Sequence, residues 1–262
     1  MRNVICHYHF FKNACTSVDK MLQANFGAAW RSYEGDGKRP DLSSYIADDP
    51  RILAVSSHTA SLPVPEIEGV AIWPIFFLRH PIERFLSVYE FERTQGATTE
   101  GAKVASSKSI QGYLRWRLSR PTDRAICDFH VYRLSRACAF RGKPSRAEEL
   151  HRAKNFLGAA GFFGIVERFR ESLDWLEAWL RQPFPTVKLQ LVHANVTNRH
   201  GASVGDRLKV LQDRLGDDLF ERLNNGNQAD MKLYEYATEL FSRRMISHRA
   251  ALGAAAAASL SR

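Results

Sequence analysis

Lys12-Asn-Ala-Cys-Thr-Ser17 stands between a β-branched, aromatic run, Arg2 to Phe11, and a stretch with helical apolar spacing that stops at Gly27. A loop feeding a helix presents unpaired backbone N–H groups and the positive end of the helix dipole, which together attract phosphate or sulfate. Lys12, Thr16 and Ser17 supply a cation and two hydroxyls to complete such a site, with Asn13, Ala14 and Cys15 as the intervening backbone. The same hydroxyls also suit a simple helix cap, and the lysine a solvated loop. The G-x-x-x-x-G-K-[ST] spacing of nucleoside-triphosphate loops is absent, which weighs against a kinase or NTPase. A second juncture of the same kind follows at Phe76-Phe-Leu-Arg-His-Pro-Ile-Glu-Arg-Phe-Leu-Ser87. Here Arg79 leaves a strand end and Ser87 lies two turns into the next helix, a guanidinium and a hydroxyl suited to a second phosphate. Arg84, one turn before Ser87, either extends that site or pairs with a buried carboxylate.

Both loops sit at the carboxyl ends of strands, where open α/β sheets bind ligands. Two anion sites on one ligand imply a nucleotide phosphorylated at both ends of its ribose. A base is needed if a group is to be passed to a hydroxyl, and His58 is the first candidate. It follows the strand Arg51 to Ser56, emerges on the same sheet edge as Lys12 and Arg79, and has an ordinary pKa near neutrality. His7 and His9 are rivals; by period two they share one face of their strand, and His9 is nearer the loop. Arg199, with Asn195 and Thr197, occupies a later loop placed to close over a cofactor. Trp73, Trp175 and Trp179 read as packing residues.

The elements that must carry these groups are legible as alternating strands and helices. Strands are expected at Arg2–Phe11, Ala28–Tyr33, Arg51–Ser56, Ala71–Leu78, Phe162–Val166 and Val187–Val192, with Pro74 weakening the fourth. Helices are expected at Ser17–Phe26, Ile82–Thr94 (after Pro81), 110–119, 122–138 and 146–158, the last with Ser145 and Glu148 at capping-box spacing. Phe169, Leu173, Leu176 and Leu180 mark one face of a further helix, and the remainder reads as helical to about Ser247. Residues 34–40 and 96–109 read as loops. Continuous apolar strands separated by helices define an α/β fold, a P-loop-like parallel sheet flanked by helices on both faces. The expected organisation is one domain over residues 1–249 and an alanine-rich tail over 250–262.

The chain has 262 residues, 45% of them hydrophobic and 25% charged, enough to bury a full core. Its 37 Lys+Arg against 28 Asp+Glu give a net charge of +9, so an anionic partner is expected. Nine of the basic residues lie between Arg115 and Arg146, opposed there only by Asp123 and Asp128 and interleaved with aromatics. That segment reads as the lining for an acidic glycan or as a solvated helical face. A nucleic-acid patch would look similar, but no recognition-helix, RNP or zinc signature accompanies it, so no nucleic acid is expected. Four irregularly spaced cysteines match neither a disulfide framework nor a zinc site, and no metal is implied. No apolar run approaches the roughly 18 residues of a membrane span and no signal peptide is evident, so the expected location is cytoplasmic.

Lys12-Asn-Ala-Cys-Thr-Ser17 followed by Arg79-His-Pro-Ile-Glu-Arg-Phe-Leu-Ser87 resembles the 5'-phosphosulfate and 3'-phosphate motifs of sulfotransferases that use 3'-phosphoadenosine 5'-phosphosulfate (PAPS). The nearest look-alikes are carbohydrate sulfotransferases, particularly the uronosyl 2-O-sulfotransferases. Ser56-Ser-His-Thr-Ala60 resembles their segment carrying the base. Gly164–Leu173 is similar to the family's late strand and helix, Asn195–Arg199 to its cofactor-closing loop, and Asp230–Tyr236 to its final helix. The resemblance implies a sulfotransferase fold and sulfuryl transfer from PAPS to a hydroxyl, of a carbohydrate or, as the alternative, of a small-molecule or lipid-linked acceptor, with Lys12 on the phosphosulfate, Thr16 and Ser17 on the 5'-phosphate, and Arg79 and Ser87 on the 3'-phosphate. Two departures stand out: Cys15 where many members have glycine, and His80 in place of a common aspartate. Cys15 reads as a small buried spacer.

Overall fold

The computed structural model describes residues 1–35, 41–96, 99–137, 143–190 and 203–260; of Arg249 and of residues 251–260 it describes the backbone alone. β1 (Arg2–Tyr8) is fully buried from Val4 to Tyr8 because strands lie on both sides of it and helices cover the sheet. It pairs in parallel with β3 (Ala54–Ser57) and with β4 (Val70–Ile75), and β3 pairs in parallel with β2 (Trp30–Ser32), giving the order β2-β3-β1-β4. Pro74 lies opposite Cys6 in β4, an edge strand of this ladder, where a missing N–H is tolerated. Past Phe76 the chain continues as β5 (Phe77–Leu78), which pairs in parallel with β6 (Gly164–Ile165). Gly164 is required there: a Cβ on it would meet the Phe77 ring at 2.2 Å, two residues before Arg79.

Helices flank the sheet. α1 (Cys15–Phe26) buries Val18, Met21 and Leu22, the apolar spacing visible in the sequence. α2 (Leu42–Asp48), not anticipated, starts where the Asp41 carboxylate accepts from Ser43 and Ser44 N–H. α3 (Pro81–Thr94) follows the second loop with proline at its first position, as expected. Residues 96–109 are not simply a loop: Thr99 caps α4 (Glu100–Ser107), whose small residues Gly101, Ala102 and Ala105 pack inward. α5 (Ile110–Leu118) matches its expected span. The helix expected over 122–138 shrinks to α6 (Phe129–Ser135), because Asp123 accepts from Ala125 N–H in a turn and Asp128 takes a left-handed φ of 43°. α7 (Arg146–Ala159) begins with the Ser145–Glu148 capping box read from the sequence.

α8 (Phe169–Leu180) buries Leu173, Leu176 and Leu180. Over Val187–Gln190 there is no strand. Val187 and Leu189 do point inward alternately, but the neighbouring N–H groups are taken by side chains, Lys188 N–H by Asn25 and Leu189 N–H by Glu177, rather than by a sheet neighbour. Leu191 and Val192 lie outside the described residues. α9 (Val204–Leu215), α10 (Asp217–Asn225) and α11 (Gln228–Leu260) complete the chain, and α11 runs on through the alanine-rich residues without interruption. Among the described residues no helix is long and apolar enough to cross a membrane, and no cluster of side chains could hold a metal ion. Trp73, Trp175 and Trp179 pack as expected: Trp73 meets Trp179 at 4.8 Å between ring centroids and Phe162 meets Trp175 at 5.0 Å.

Candidate active site

The chain leaves β1 and turns sharply enough that Lys12 (φ 66°) and Ala14 (φ 63°) both adopt left-handed backbone, a conformation that side-chain-bearing residues hold only under tertiary constraint. Asn13, fully buried between them, supplies that constraint. Its amide donates to the Phe77 carbonyl at 2.6 Å and lies 2.7 Å from His130 Nε2, while its N–H reaches the Phe10 carbonyl. Asn13 therefore turns both side chain and N–H inward and fastens the loop instead of facing a ligand. The chain of contacts continues from His130 Nδ1 to Asp230 at 3.2 Å. Asp230 also accepts from the His130 and Val131 N–H groups at the start of α6, and Asp128 accepts from the Ala229 and Asp230 N–H groups in return. Burial pushes the Asp230 carboxyl up, but His130 and these N–H donors outweigh it and hold the group low.

Ala14 is the N-cap of α1 and offers no side-chain acceptor, so the helix's first amides are not capped from within that residue. Thr16 and Ser17 lie inside the first turn, Thr16 exposed and Ser17 buried, so neither serves as the N-cap. Cys15 is a buried spacer: its thiol points at the Phe10 carbonyl 3.1 Å away, and burial raises its pKa well above that of a free thiol.

The second loop meets the first directly. Arg79 Nη1 donates to the Lys12 carbonyl at 3.3 Å, and Lys12 Nζ sits 4.3 Å from the centre of the Phe91 ring on α3. Burial, then repulsion from Arg79, lowers the Lys12 pKa. Arg79 is only 8% exposed, and its Nε has no protein partner, the condition expected of a guanidinium built to receive an anion. Glu83, Ser87 and Phe91 form one stripe along α3, so Ser87 lies between the residue that carries Lys12 and one that acts electrostatically on Arg79. Glu83 is bound by Arg207 of α9, and Glu167 accepts from His80 N–H and the Tyr234 hydroxyl. Arg207 escaped the sequence reading, which looked to Arg199; Arg199, Asn195 and Thr197 lie outside the described residues. Arg84 is not at this surface: it is fully buried, donates to the Ala125 carbonyl and lies over Phe129.

Three imidazoles gather at the ends of β1 and β3. The rings of His9 and His58 approach to 3.6 Å between centroids, and His7 and His9 to 5.4 Å. His7 Nδ1 lies 2.8 Å from Asp19. His58, with half its side chain exposed, is held by Glu34, whose Oε1 lies 2.7 Å from Nδ1 and also accepts the His58 N–H. In the sequence Glu34 marks only the start of a loop; the signal for its role is its place just past β2, on the same sheet edge as the other groups. Nδ1 facing a carboxylate leaves Nε2 as the imidazole's outward acceptor.

Burial, then the neighbouring His7 charge, lowers the His9 pKa from 6.5 to about 3, so this ring is neutral at ordinary pH. His80 and His130 are lowered as well, chiefly by burial. Unfolding lets all three take up protons below pH 6.5 while the folded state resists. Stability is therefore expected to fall with pH from about 6.5 toward 3, each group removing at most about 1.4 kcal/mol per pH unit. Thermal melts at pH 7, 6 and 5 check this, and His9→Asn should flatten the decline.

Among the described residues from Arg115 to Arg146, Arg117, Arg120, Arg124, Arg133 and Arg146 are each bonded to an acceptor of the protein itself. Arg117 is buried against Glu92, Asp123 and the Tyr113 hydroxyl. Arg120 pairs with Glu100, Arg124 with Glu149 and Arg146 with Asp128, while Arg133 donates to the Ala60 carbonyl. Glu92, Glu100 and Glu149 from outside the stretch join Asp123 and Asp128 within it in taking up these charges. Glu92→Ala removes two of the bonds to the buried Arg117 and leaves it Asp123 and the Tyr113 hydroxyl, so it is expected to cost about 1–3 kcal/mol of stability, read by denaturant unfolding.

The parallel strands thus end in a helix start with no side-chain cap and in a buried arginine whose Nε is unpaired, two groups suited to an anion. The sequence profile of the sulfotransferase family matches residues 2–237, and the chain belongs to that family. It is similar to an uncharacterized protein of Archaeoglobus fulgidus, 33% identical over 253 residues that cover 92% of this chain and 98% of the relative.

Proposed function

We propose that this chain transfers a sulfuryl group from PAPS to a hydroxyl of a carbohydrate acceptor, with His58 as the general base. Membership of the sulfotransferase family gives the reaction and the PAPS-type cofactor at the level of the family. One observation supports the assignment of residues: Arg79 bonds to the Lys12 carbonyl, so the two anion loops form one surface able to take both ends of a single bisphosphorylated nucleotide. The residues fit such a group. Lys12, Thr16, Ser17 and the backbone from Ala14 to Thr16 would hold the 5' end, and Arg79 with Ser87 the 3'-phosphate. Asn13 acts by fixing the loop, and Cys15 by its small volume.

PAPS supplies an activated sulfuryl group whose bond to the 5'-phosphate breaks as the acceptor oxygen attacks. Lys12 and the start of α1 place positive charge where the departing phosphate gathers negative charge, the kind of preorganised stabilisation that lowers such barriers most. His58 takes the hydroxyl proton on Nε2, and Glu34 steadies the ring through Nδ1. The carbohydrate nature of the acceptor is supported by the likeness of Ser56–Ala60 and the phosphate loops to carbohydrate sulfotransferases.

Thermal shift with 3'-phosphoadenosine 5'-phosphate, against 5'-AMP and ATP, tests the cofactor assignment. A ligand at about 100 times its Kd stabilises by about 2.7 kcal/mol. Selective stabilisation by the 3',5'-bisphosphate is the expected result, and an equal response to all three nucleotides overturns the assignment.

A further inference from the structure

Asn13 fastens the first anion loop, and what fastens Asn13 is a histidine 117 residues further along the chain. The Asn13 side-chain atom 2.6 Å from the Phe77 carbonyl must be its nitrogen, because a backbone carbonyl can only accept. The same nitrogen lies 2.7 Å from His130 Nε2, so its second hydrogen is donated there and Nε2 is the acceptor. The ring's own proton then sits on Nδ1, which faces Asp230 Oδ2 at 3.2 Å. Burial of the ring, outweighing the attraction of the Asp230 charge, lowers the pKa of His130 and keeps the imidazole neutral. A proton on Nε2 would set an N–H against the Asn13 amide nitrogen. Turning the amide over to accept it would bring the amide oxygen against the Phe77 carbonyl. One tautomer alone fits the loop.

The ring projects from a rigid base. Asp230 accepts from the His130 N–H at 3.0 Å and the Val131 N–H at 2.8 Å, at the start of α6. Asp128 accepts from the Ala229 and Asp230 N–H groups, both at 3.1 Å, at the start of α11. Each helix start is thus capped by the aspartate of the other, and the Asp128 N–H is taken in turn by the Asn227 side chain. Asp128, His130 and Asp230 are all buried. At the far end of the chain of bonds, Lys12 and Ala14 hold left-handed backbone that residues with side chains adopt only when their surroundings over-determine it. Without the acceptor at Nε2 the buried Asn13 amide loses a partner, and the turn can relax toward ordinary φ. Relaxation would carry the Lys12 ammonium and the start of α1 out of register with Arg79.

Resting on the sulfotransferase reading above, we infer that His130 is a positioning residue for the cofactor loop: as the Nδ1-protonated imidazole held by Asp230, it fixes Asn13 and, through Asn13, the conformation of Lys12, without touching the nucleotide. Two helix starts far along the chain thereby set the geometry of a loop near its beginning.

Affinity for 3'-phosphoadenosine 5'-phosphate, measured by calorimetry, is compared among the native chain, His130→Phe, His130→Gln, Asn13→Ala and the Asn13→Ala/His130→Phe double variant. Phenylalanine keeps the volume of the ring and loses the acceptor. Glutamine fills that volume less well but places a carbonyl oxygen close to the position of Nε2, where it can accept from Asn13. His130→Phe and Asn13→Ala are each expected to weaken binding about tenfold, and His130→Gln only about threefold or less. A residue that only filled the core would rank phenylalanine above glutamine, and that order, or native-like binding by His130→Phe, overturns the assignment. In the Asn13→Ala background His130→Phe should weaken binding no further, because its effect passes through Asn13; additive losses overturn it as well. Should His130→Phe not fold, the native chain still decides. Nitrogen-15 histidine spectra without nucleotide, with His130 identified by its loss in His130→Gln, are expected to show the neutral Nδ1–H form at neutral pH, and the Nε2–H or doubly protonated form overturns the assignment. Failure of the native chain to bind the bisphosphate removes the cofactor reading beneath, and the tautomer, read without any nucleotide, tells that failure apart.

Discussion

His58→Ala is expected to lower sulfuryl transfer by about 100- to 10,000-fold, the usual contribution of a positioned general base. The nucleotide shift should survive, because His58 lies past the end of β3, outside both anion loops, and half of its side chain is in solvent. Removing an exposed ring also leaves the buried core intact, so lost activity would not reflect lost folding. Glu34→Gln provides the companion measurement. It keeps the shape beside Nδ1 but removes the carboxylate, and should lower kcat roughly tenfold with the KM for PAPS unchanged. Normal turnover in His58→Ala, with the acceptor saturating, would take His58 out of the mechanism. His9, whose ring centre lies 3.6 Å away and which is kept neutral by its surroundings, would then be the ring to replace.

Lys12→Met should damage both binding and chemistry. Methionine keeps an apolar stem for the contact with Phe91 and removes the ammonium, so the loop's packing is preserved while its charge is lost. Loss of one preorganised donor at a site of developing charge costs about 100- to 1,000-fold in rate. A smaller thermal shift with the 3',5'-bisphosphate should accompany that loss. The hydrogen bond from Arg79 is to the Lys12 backbone carbonyl, so it persists in the variant and keeps the second loop in place. A variant with unchanged kcat/KM would separate Lys12 from the phosphosulfate and leave the helix start and Arg79 as the anion-binding groups.

The two strand–loop–helix junctures were readable without coordinates because they are local. Strand, loop and helix follow one another at Arg2–Phe26 and again at Ala71–Thr94, and apolar spacing, Pro81 and Gly27 mark their limits through neighbours in the chain. The Ser145–Glu148 capping box was readable for the same reason: its partners are one helical turn apart. Elsewhere local signals misled. Alternating Val187 and Leu189 imitate a strand, yet no neighbouring strand receives their backbone, and the small residues of α4 look like loop until Thr99 caps them.

What composition and spacing determined is therefore the place of most strands along the chain, the two strand–loop–helix junctures and the identity of the residues at their tips. Tertiary structure alone decided that Asn13 faces inward to His130, that Glu34 meets His58, and that Arg117, Arg120, Arg124 and Arg146 of the basic stretch are drawn to carboxylates. The reason is distance along the chain. Asn13 and His130 are 117 residues apart and Glu34 and His58 are 24 apart, so their contacts depend on how the sheet and helices pack. No periodicity in the sequence encodes that packing, because the energy that brings such groups together is the burial of the whole core rather than any preference of the residues themselves.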